Sequence, residues 1–257
     1  MPKPRVLVLR APGTNCDEEA AHAWNLAGAE AETWHFGRVV ENPEGLDAFQ
    51  VLTLPGGFSY GDDLGAGRIL ATRLGTVLGD ALRRFLDRGG LVLGICNGFQ
   101  VLVKAGLLPG RPDSGPATLT FNESGHFESR WARLVPTPGL CPFLTDAEPI
   151  ELPVAHGEGK FVQANPGALA GLEAAGQVVL RYADAEGRPT DAYPANPNGS
   201  PGAVAGLCDP TGRVFGLMPH PERFVDPLHH PRWTRKGLDA PADGLGIFRN
   251  AVRALTG

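Results

Sequence analysis

Short apolar runs alternate with helical patterns over the first hundred residues of the chain. The runs lie at residues 5–10, 31–36, 49–54 and 91–95, and strands that are apolar on both faces are typical of a parallel sheet covered by helices on each side. Helical patterns occupy residues 17–27, 65–74, 79–88 and 98–105. This alternation predicts a three-layer α/β sandwich.

Beyond Pro109 the pattern changes to short strands separated by Pro, Gly and Asn turns. The strands are expected at residues 131–135, 151–155, 178–183, 203–208 and 214–218. They predict an added, partly antiparallel portion of the same sheet. A last helix places Leu245, Phe248, Val252 and Leu255 on one face. Because no repeat and no long linker interrupts this order, we expect a single domain over residues 1–257.

Composition and charge exclude several classes of protein. The 257 residues carry 23 basic and 28 acidic side chains, and a net charge of −5 argues against a nucleic-acid-binding protein. No run approaches the roughly 18 apolar residues that a membrane span needs. The four cysteines form no CxxC pair, which argues against a zinc knuckle and fits a cytoplasmic protein. Since neither a P-loop nor a metal-ligand spacing is present, we expect no metal and no cofactor in this chain.

The strongest chemical signal is a cysteine between a strand and a helix. Cys96 lies in the turn Gly94-Ile-Cys-Asn-Gly98, directly after the apolar strand at residues 91–95. Such a Gly-x-Cys-x-Gly turn is typical of a nucleophile elbow, which exposes the side chain at the sheet edge beside a helix N-terminus. That position favours the nucleophilic thiolate. A buried structural cysteine is the alternative, and the two flanking glycines favour the nucleophile.

A cysteine nucleophile needs a base and a group that orients the base. Of the seven histidines, His220 follows an apolar strand and precedes Pro221 and Glu222. Proline biases the preceding residue towards an extended backbone, in which residues two apart project to the same side. We therefore expect Glu222 to reach His220 while the other ring nitrogen faces a thiol. His229 and His230 are expected to be solvated.

A pair of glycines at the end of another strand predicts an oxyanion hole. Gly56 and Gly57 follow the run at residues 49–54, so their N–H groups can point into a site at the same sheet edge. Acyl transfer builds negative charge on a carbonyl oxygen, and the N–H of Asn97 is the natural second donor. Either Thr14 or Asn15 is expected to cap the first helix.

Six separated motifs, spread over essentially the whole chain, resemble the class I (triad) glutamine amidotransferases. They read PGTNCD at 12–17, GGFSYGD at 56–62, ICNGFQ at 95–100, HGEGKF at 156–161, NPNGS at 196–200 and LMPHPER at 217–223. The resemblance implies a flavodoxin-like α/β fold and hydrolysis of glutamine to glutamate and ammonia. It implies Cys96 as nucleophile, His220 as acid and base, and Glu222 as its orienting group, with oxyanion donors at Gly57 and Asn97. It also implies substrate-binding roles for Gly56, Phe58, Gln100, Asn122 and Ser124.

Within that family the motifs are most similar to glutaminase subunits that serve purine biosynthesis. This implies that ammonia passes to a separate synthetase subunit that uses ATP and Mg, with formylglycinamide ribonucleotide as acceptor, and that a small third subunit bridges the two. The isolated chain is then expected to be a poor glutaminase. Loops 12–17, 59–63 and 156–160 are the expected docking surface. Ser129 departs from the family pattern, and the loop at 225–242 is longer than in the shortest relatives.

Three other functions stay open on sequence grounds. An amidotransferase for another acceptor would carry the same triad. A cysteine peptidase or DJ-1-like hydrolase would use an elbow cysteine and a histidine but would not need Gln100. A non-catalytic interaction subunit would share the fold, yet the intact Cys96, His220 and Glu222 argue against it.

Overall fold

A mixed sheet of nine strands runs through the computed structural model, which describes residues 2–110, 115–165 and 167–257. The first half of the chain follows a βα order. It contains β1 (Arg5–Arg10), α1 (Asp17–Leu26), β2 (Glu30–His35), α2 (Phe36–Glu41), β3 (Val51–Leu54), α3 (Arg68–Asp87), β4 (Leu91–Ile95) and α4 (Asn97–Lys104). Strands β1 to β4 are parallel neighbours in the order β2-β1-β3-β4.

The second half of the chain extends this sheet. It contains β5 (Ala117–Thr120), β6 (Glu128–Pro136), β7 (Ile150–His156), β8 (Lys160–Gln163), α5 (Ala168–Ala174), β9 (Val178–Tyr182), β10 (Val204–Cys208), β11 (Val214–Leu217), α6 (Trp233–Lys236) and α7 (Asp243–Thr256). The full order is β2-β1-β3-β4-β11-β10-β9-β6-β7, and β5 pairs with β8 separately. Strand β11 is parallel to β4, whereas the strands beyond it are antiparallel. The predicted α/β class and the partly antiparallel extension are confirmed.

The helices pack their apolar faces on the sheet and on each other. Strands β3, β4 and β11 are buried along their whole length, as expected for strands covered on both faces. In α1 and α7 the rings of Trp24 and Phe248 meet edge to face at 5.0 Å, so the first and last helices of the chain are in contact. No helix in the described ranges is long and apolar enough to cross a membrane.

Two local predictions were wrong. The helical patterns at 65–74 and 79–88 form one helix, α3, because Gly75 and Gly79 lie on its open face, where an added Cβ would meet nothing within 4 Å. Burial of the opposite face of α3 outweighs the cost of about 1 kcal/mol per helical glycine. Helix α1 has Cys16 at its N-cap without a side-chain cap, and the Thr14 hydroxyl instead accepts the N–H of Ala11 at 3.1 Å.

Candidate active site

Cys96 stands alone between β4 and α4 in a conformation that side chains rarely adopt. Its φ is 51° and its ψ is −106°, which lets the chain turn from strand to helix within one residue. The turn requires Gly98, because a Cβ there would lie 1.9 Å from the carbonyl oxygen of Leu54 in β3. The backbone N–H of Cys96 donates to the Leu217 carbonyl of β11 at 2.8 Å. The elbow is therefore fixed by both neighbouring strands.

His220 and Glu222 reach the cysteine from the neighbouring strand. Strand β11 pairs in parallel with β4, with Leu217 opposite Ile95, so both chain ends leave the sheet at one edge. His220 Nδ1 lies 2.6 Å from a Glu222 carboxylate oxygen, and both side chains are buried. The contact between His220 and Glu222 was predicted, but the prediction of an extended backbone between them was wrong. Residues Pro221–Arg223 form a 3-10 turn, which curls Glu222 back onto the ring.

The charge around His220 favours its protonated form. Burial lowers the pKa of His220, but the Glu222 carboxylate and the sulfurs of Cys96 and Cys16 outweigh it, and the pKa lies well above its usual value. Among the described residues the ring nitrogen Nε2 has no hydrogen-bond partner. An imidazolium beside a cysteine stabilises the thiolate. The ring is thus oriented by one nitrogen and leaves the other for a proton transfer.

A small cavity of about 150 Å³ opens beside Cys96. Its walls include Gly57, Phe58 and Gln100, together with the segment 155–158 at the end of β7. Within the described part of the chain, the backbone N–H groups of Gly57 and Asn97 donate no hydrogen bond. Gly57 has a φ of 141°, and a Cβ there would lie 2.6 Å from the Gly13 carbonyl, so only glycine fits this turn. The two N–H groups are free to receive an oxyanion.

The residues expected to bind substrate separate into two groups. Phe58 and Gln100 line the cavity, but the Gln100 amide already accepts from Asn97 and donates to the Glu158 carbonyl. Gly56 lies against the His220 ring rather than on the cavity wall.

Asn122 and Ser124 lie outside the wall of the Cys96 cavity. Asn122 is buried against His156, and Ser124 donates to Glu128 at 2.8 Å on the wall of a separate cavity. The structure therefore does not bring Gly56, Asn122 and Ser124 onto the cavity surface.

The sequence reasoning missed a second cysteine beside the triad. Cys16 Sγ accepts a hydrogen bond from the Arg223 guanidinium at 3.0 Å, and a Cβ on Gly56 would touch both this sulfur and the His220 ring. Donor atoms of Cys16, His220 and Glu222 lie within 4.8 Å of one another, and in the described residues they are the one group close enough to hold a metal ion. The hydrogen bond of His220 to Glu222 uses one ring nitrogen, and the Arg223 cation beside Cys16 opposes a bound cation, so the group fits a hydrogen-bonded cluster better than a metal site.

An acidic side of the cavity was also missed. Asp62 and Glu158 both line it, and Asp62 accepts from the Asn97 amide at 3.1 Å. Burial raises the pKa of Asp62 above its usual value, although hydrogen bonds from Gly67 and Asn97 oppose the shift. Lys104 lies 4.0 Å from Glu158 and donates to the Ala66 carbonyl. These contacts fasten the loop after β3 to both ends of α4.

The loop at 225–242 has a structural anchor that sequence reasoning did not find. His230 was expected to be solvated, but it is buried, and its Nε2 lies 3.2 Å from a Glu151 oxygen in β7. Its ring lies 4.5 Å from the Trp131 ring, centroid to centroid. Arg232 and Lys236 also pair with Glu151. His229 is exposed, as expected.

The chain also matches the model of a known protein family. The model for the CobB/CobQ-like glutamine amidotransferase domain matches residues 3–254. The chain belongs to this family. The predicted resemblance to glutamine amidotransferases is confirmed.

Curated relatives of the chain are named as a phosphoribosylformylglycinamidine synthase or as its subunit PurQ. A phosphoribosylformylglycinamidine synthase subunit PurQ from Dehalococcoides mccartyi is 49% identical over 255 residues, covering 98% of each chain. The human phosphoribosylformylglycinamidine synthase is 43% identical over 244 residues, which cover 88% of this chain and 18% of the human protein.

Among solved structures, a chain of PurLQS from Thermotoga maritima matches with a TM-score of 0.76 and 33% identity. The match covers 99% of this chain and 100% of that chain. The fold predicted from the sequence is therefore that of a PurQ relative.

Proposed function

We propose that this chain is the glutaminase subunit of a phosphoribosylformylglycinamidine synthase. One observation carries the proposal: a buried His220–Glu222 pair lies beside a cysteine on a nucleophile elbow, and that cysteine lines a cavity together with Gly57, whose N–H is free. Relatives across the whole length of the chain carry the matching name.

The geometry supports a two-step hydrolysis of the glutamine carboxamide. The Cys96 thiolate attacks the amide carbon, and the oxyanion that forms accepts hydrogen bonds from the N–H groups of Gly57 and Asn97. His220 gives its Nε2 proton to the amide nitrogen, so the C–N bond breaks. Ammonia departs, and a γ-glutamyl thioester on Cys96 remains. Neutral His220 then takes a proton from water, which attacks the thioester and releases glutamate and the Cys96 sulfur. Glu222 keeps the ring oriented through both steps.

The ammonia is consumed elsewhere, by a synthetase subunit with which this chain assembles. That subunit binds ATP and Mg and converts formylglycinamide ribonucleotide to the amidine, and a small third subunit bridges the two. The similarity to a chain of PurLQS from Thermotoga maritima supports an assembly of three kinds of subunit. The four free cysteines suit the reducing cytoplasm in which we place the complex. The contact of α1 with α7 supports one domain over residues 1–257.

The docking surface of the synthetase is proposed around the mouth of the cavity. Phe58, Phe121 and Phe127 line the cavity, and they are 49%, 70% and 55% exposed. Three exposed aromatic rings at one opening are typical of a surface that a partner covers. The loops at 59–63 and 156–160 contribute Asp62 and residues 156–158 to the cavity wall, and Thr14 of the loop at 12–17 pairs with Gly57. A partner subunit that covers this opening would let ammonia pass between the subunits without release to water.

The deciding experiment measures glutamate release by wild type and by Cys96→Ala, each alone and with the synthetase, the small subunit, ATP, Mg and formylglycinamide ribonucleotide. We expect release that needs Cys96 and rises in the full mixture. The matched control is Cys208→Ala, which removes a buried sulfur from β10 and leaves the site intact.

Release that survives Cys96→Ala would refute the mechanism. Cys96-dependent release that ignores the synthetase would indicate an amidotransferase for another acceptor. Cleavage of peptides without glutamine hydrolysis would indicate a peptidase, and inactivity of the wild type in every mixture would indicate an interaction subunit.

A further inference from the structure

A second buried histidine belongs to the wall of the Cys96 cavity. His156 ends β7, next to Ala155, whose carbonyl oxygen lies 3.7 Å from Cys96 Sγ. The His156 side chain is 3% exposed, and its Nε2 is a buried polar atom without a hydrogen-bond partner among the described residues. A buried polar atom left unpaired costs free energy, so an unpaired atom on a residue of the cavity wall calls for a partner. The triad mechanism does not use it.

The neighbours of His156 fix which of its nitrogens carries the proton. The Asn122 amide nitrogen donates to the carbonyl oxygens of His126 and His156 at 2.9 and 2.7 Å, so the amide oxygen must face the other way. That oxygen lies 3.0 Å from His156 Nδ1 and also accepts the Gly159 N–H. An amide oxygen only accepts, so Nδ1 must hold the proton and donate. Nε2 therefore presents a bare lone pair.

The imidazole of His156 also stays neutral. Burial lowers its pKa, and the nearby charge of His220 lowers it further, to about 3. Near pH 7 the ring can accept a hydrogen bond at Nε2, but it has no second proton to give. The two histidines of the site thus have opposite properties, because His220 is a proton donor and His156 an acceptor.

We propose that His156 Nε2 accepts an N–H of the glutamine carboxamide and then holds the ammonia released from it. This inference rests on the proposed glutaminase function and adds a contact to it. An acceptor at the nitrogen orients the amide so that His220 protonates the lone pair on the opposite side. Because Nε2 of neutral His156 carries no proton, it binds ammonia without converting it to ammonium. The leaving molecule keeps the form that a synthetase needs.

The proposal distinguishes amide substrates from ester substrates. The γ-methyl ester of glutamate passes through the same thioester and needs the same Cys96, but its leaving oxygen carries no N–H for His156 to bind. His156→Asn should keep a side-chain N–H near the position of Nδ1, facing Asn122, while it removes Nε2. We expect this variant, in the assembled complex, to lose about tenfold to a hundredfold in kcat/KM for glutamine. Hydrolysis of the ester should stay within about twofold of wild type.

The matched control is His126→Asn, the same change at an exposed histidine of the neighbouring loop. It should leave both substrates unaffected. Equal losses of activity on amide and ester in His156→Asn would show a merely structural role. No loss on either substrate would show that the contact is not made, and either result would overturn the proposal. Cys96→Ala, assayed in parallel, should abolish both reactions. Glutamine hydrolysis that survives Cys96→Ala would overturn the proposed function instead.

A measurement without a change at His156 covers the case in which His156→Asn fails to fold. In Cys96→Ala with ¹⁵N-labelled histidine, the His156 Nε2 resonance should be that of an unprotonated nitrogen from pH 5 to 8. It should shift towards the hydrogen-bonded position with glutamine but not with the γ-methyl ester. A protonated Nε2, or equal shifts with the two ligands, would overturn the proposal.

Discussion

Backbone strain at Cys96 predicts an unusual order of stability among its variants. The residue has a φ of 51° and a ψ of −106°, a region in which a Cβ is crowded and glycine is not. Cys96→Gly and Cys96→Ala both remove the sulfur and both abolish the chemistry. They differ only in whether the Cβ, and hence the strain, remains.

The expected difference follows from two opposing quantities. Replacing alanine by glycine at an ordinary interior position costs about 0.5–1 kcal/mol of backbone entropy and packing. A non-glycine residue in a sparsely populated region costs about 1–3 kcal/mol. Since the second effect is larger, Cys96→Gly should be more stable than Cys96→Ala by ~1 kcal/mol. For a chain of this size that corresponds to a Tm higher by roughly 2–4 °C.

Urea denaturation of the two variants measures this difference directly. The control pair is Cys208→Gly and Cys208→Ala, at a buried cysteine in β10 that has no positive φ. There the order should be the ordinary one, with alanine more stable by about 0.5–1 kcal/mol. If alanine were the more stable residue at both positions by the same margin, Cys96 would carry no strain and the reasoning would fail.

Three further predictions concern close packing, charge and acid stability. In urea denaturation, Gly98→Ala should destabilise the fold by more than about 3 kcal/mol, because the new Cβ would meet a backbone carbonyl at 1.9 Å. Gly75→Ala, on an open helix face, should stabilise it by up to about 1 kcal/mol. Similar effects at both glycines would refute this prediction. Glu222→Gln removes the carboxylate that holds the pKa of His220 up, so the alkaline limb of the kcat/KM profile for glutamine should move to lower pH, and an unmoved limb would contradict the ion-pair account. The buried His156 has a pKa of about 3 when folded, while the unfolded chain takes up this proton near pH 6.5, so stability falls as the pH drops below that value. Between pH 7.5 and 5 this loss of stability is ~2 kcal/mol, and His156→Asn should abolish it. An unchanged dependence of stability on pH would exclude the lowered pKa of His156.

The parts of the site that follow local rules could be predicted from the sequence. The elbow at Cys96 needs only a strand, two glycines and a helix in succession, and all of these are visible in the chain. The contact of His220 with Glu222 was predicted as well. The backbone conformation between these two residues was not predicted. Pro221 can start a 3-10 turn as readily as it favours an extended residue before it.

Contacts across the fold could not be predicted. Cys16 lies beside His220 because Gly56 leaves no Cβ between them, and no spacing in the sequence indicates that approach. His230 was expected in solvent because its neighbours are polar. It is buried because Glu151, far away in the chain, supplies its partner. For His230, long-range pairing of polar groups overrides local composition.

The parallel pairing of β4 with β11 also fixes when the chain can become active. Cys96 stands on β4, but the strand that carries its partner comes after β5 to β10 have been made. Contacts between segments so distant in the chain form late, since the entropy of closing the intervening loop opposes them. A nascent chain that ends before β11 therefore carries the elbow cysteine without its acid and base. Hydrolysis of glutamine is tied to completion of nearly the whole fold, so an unfinished chain cannot waste glutamine.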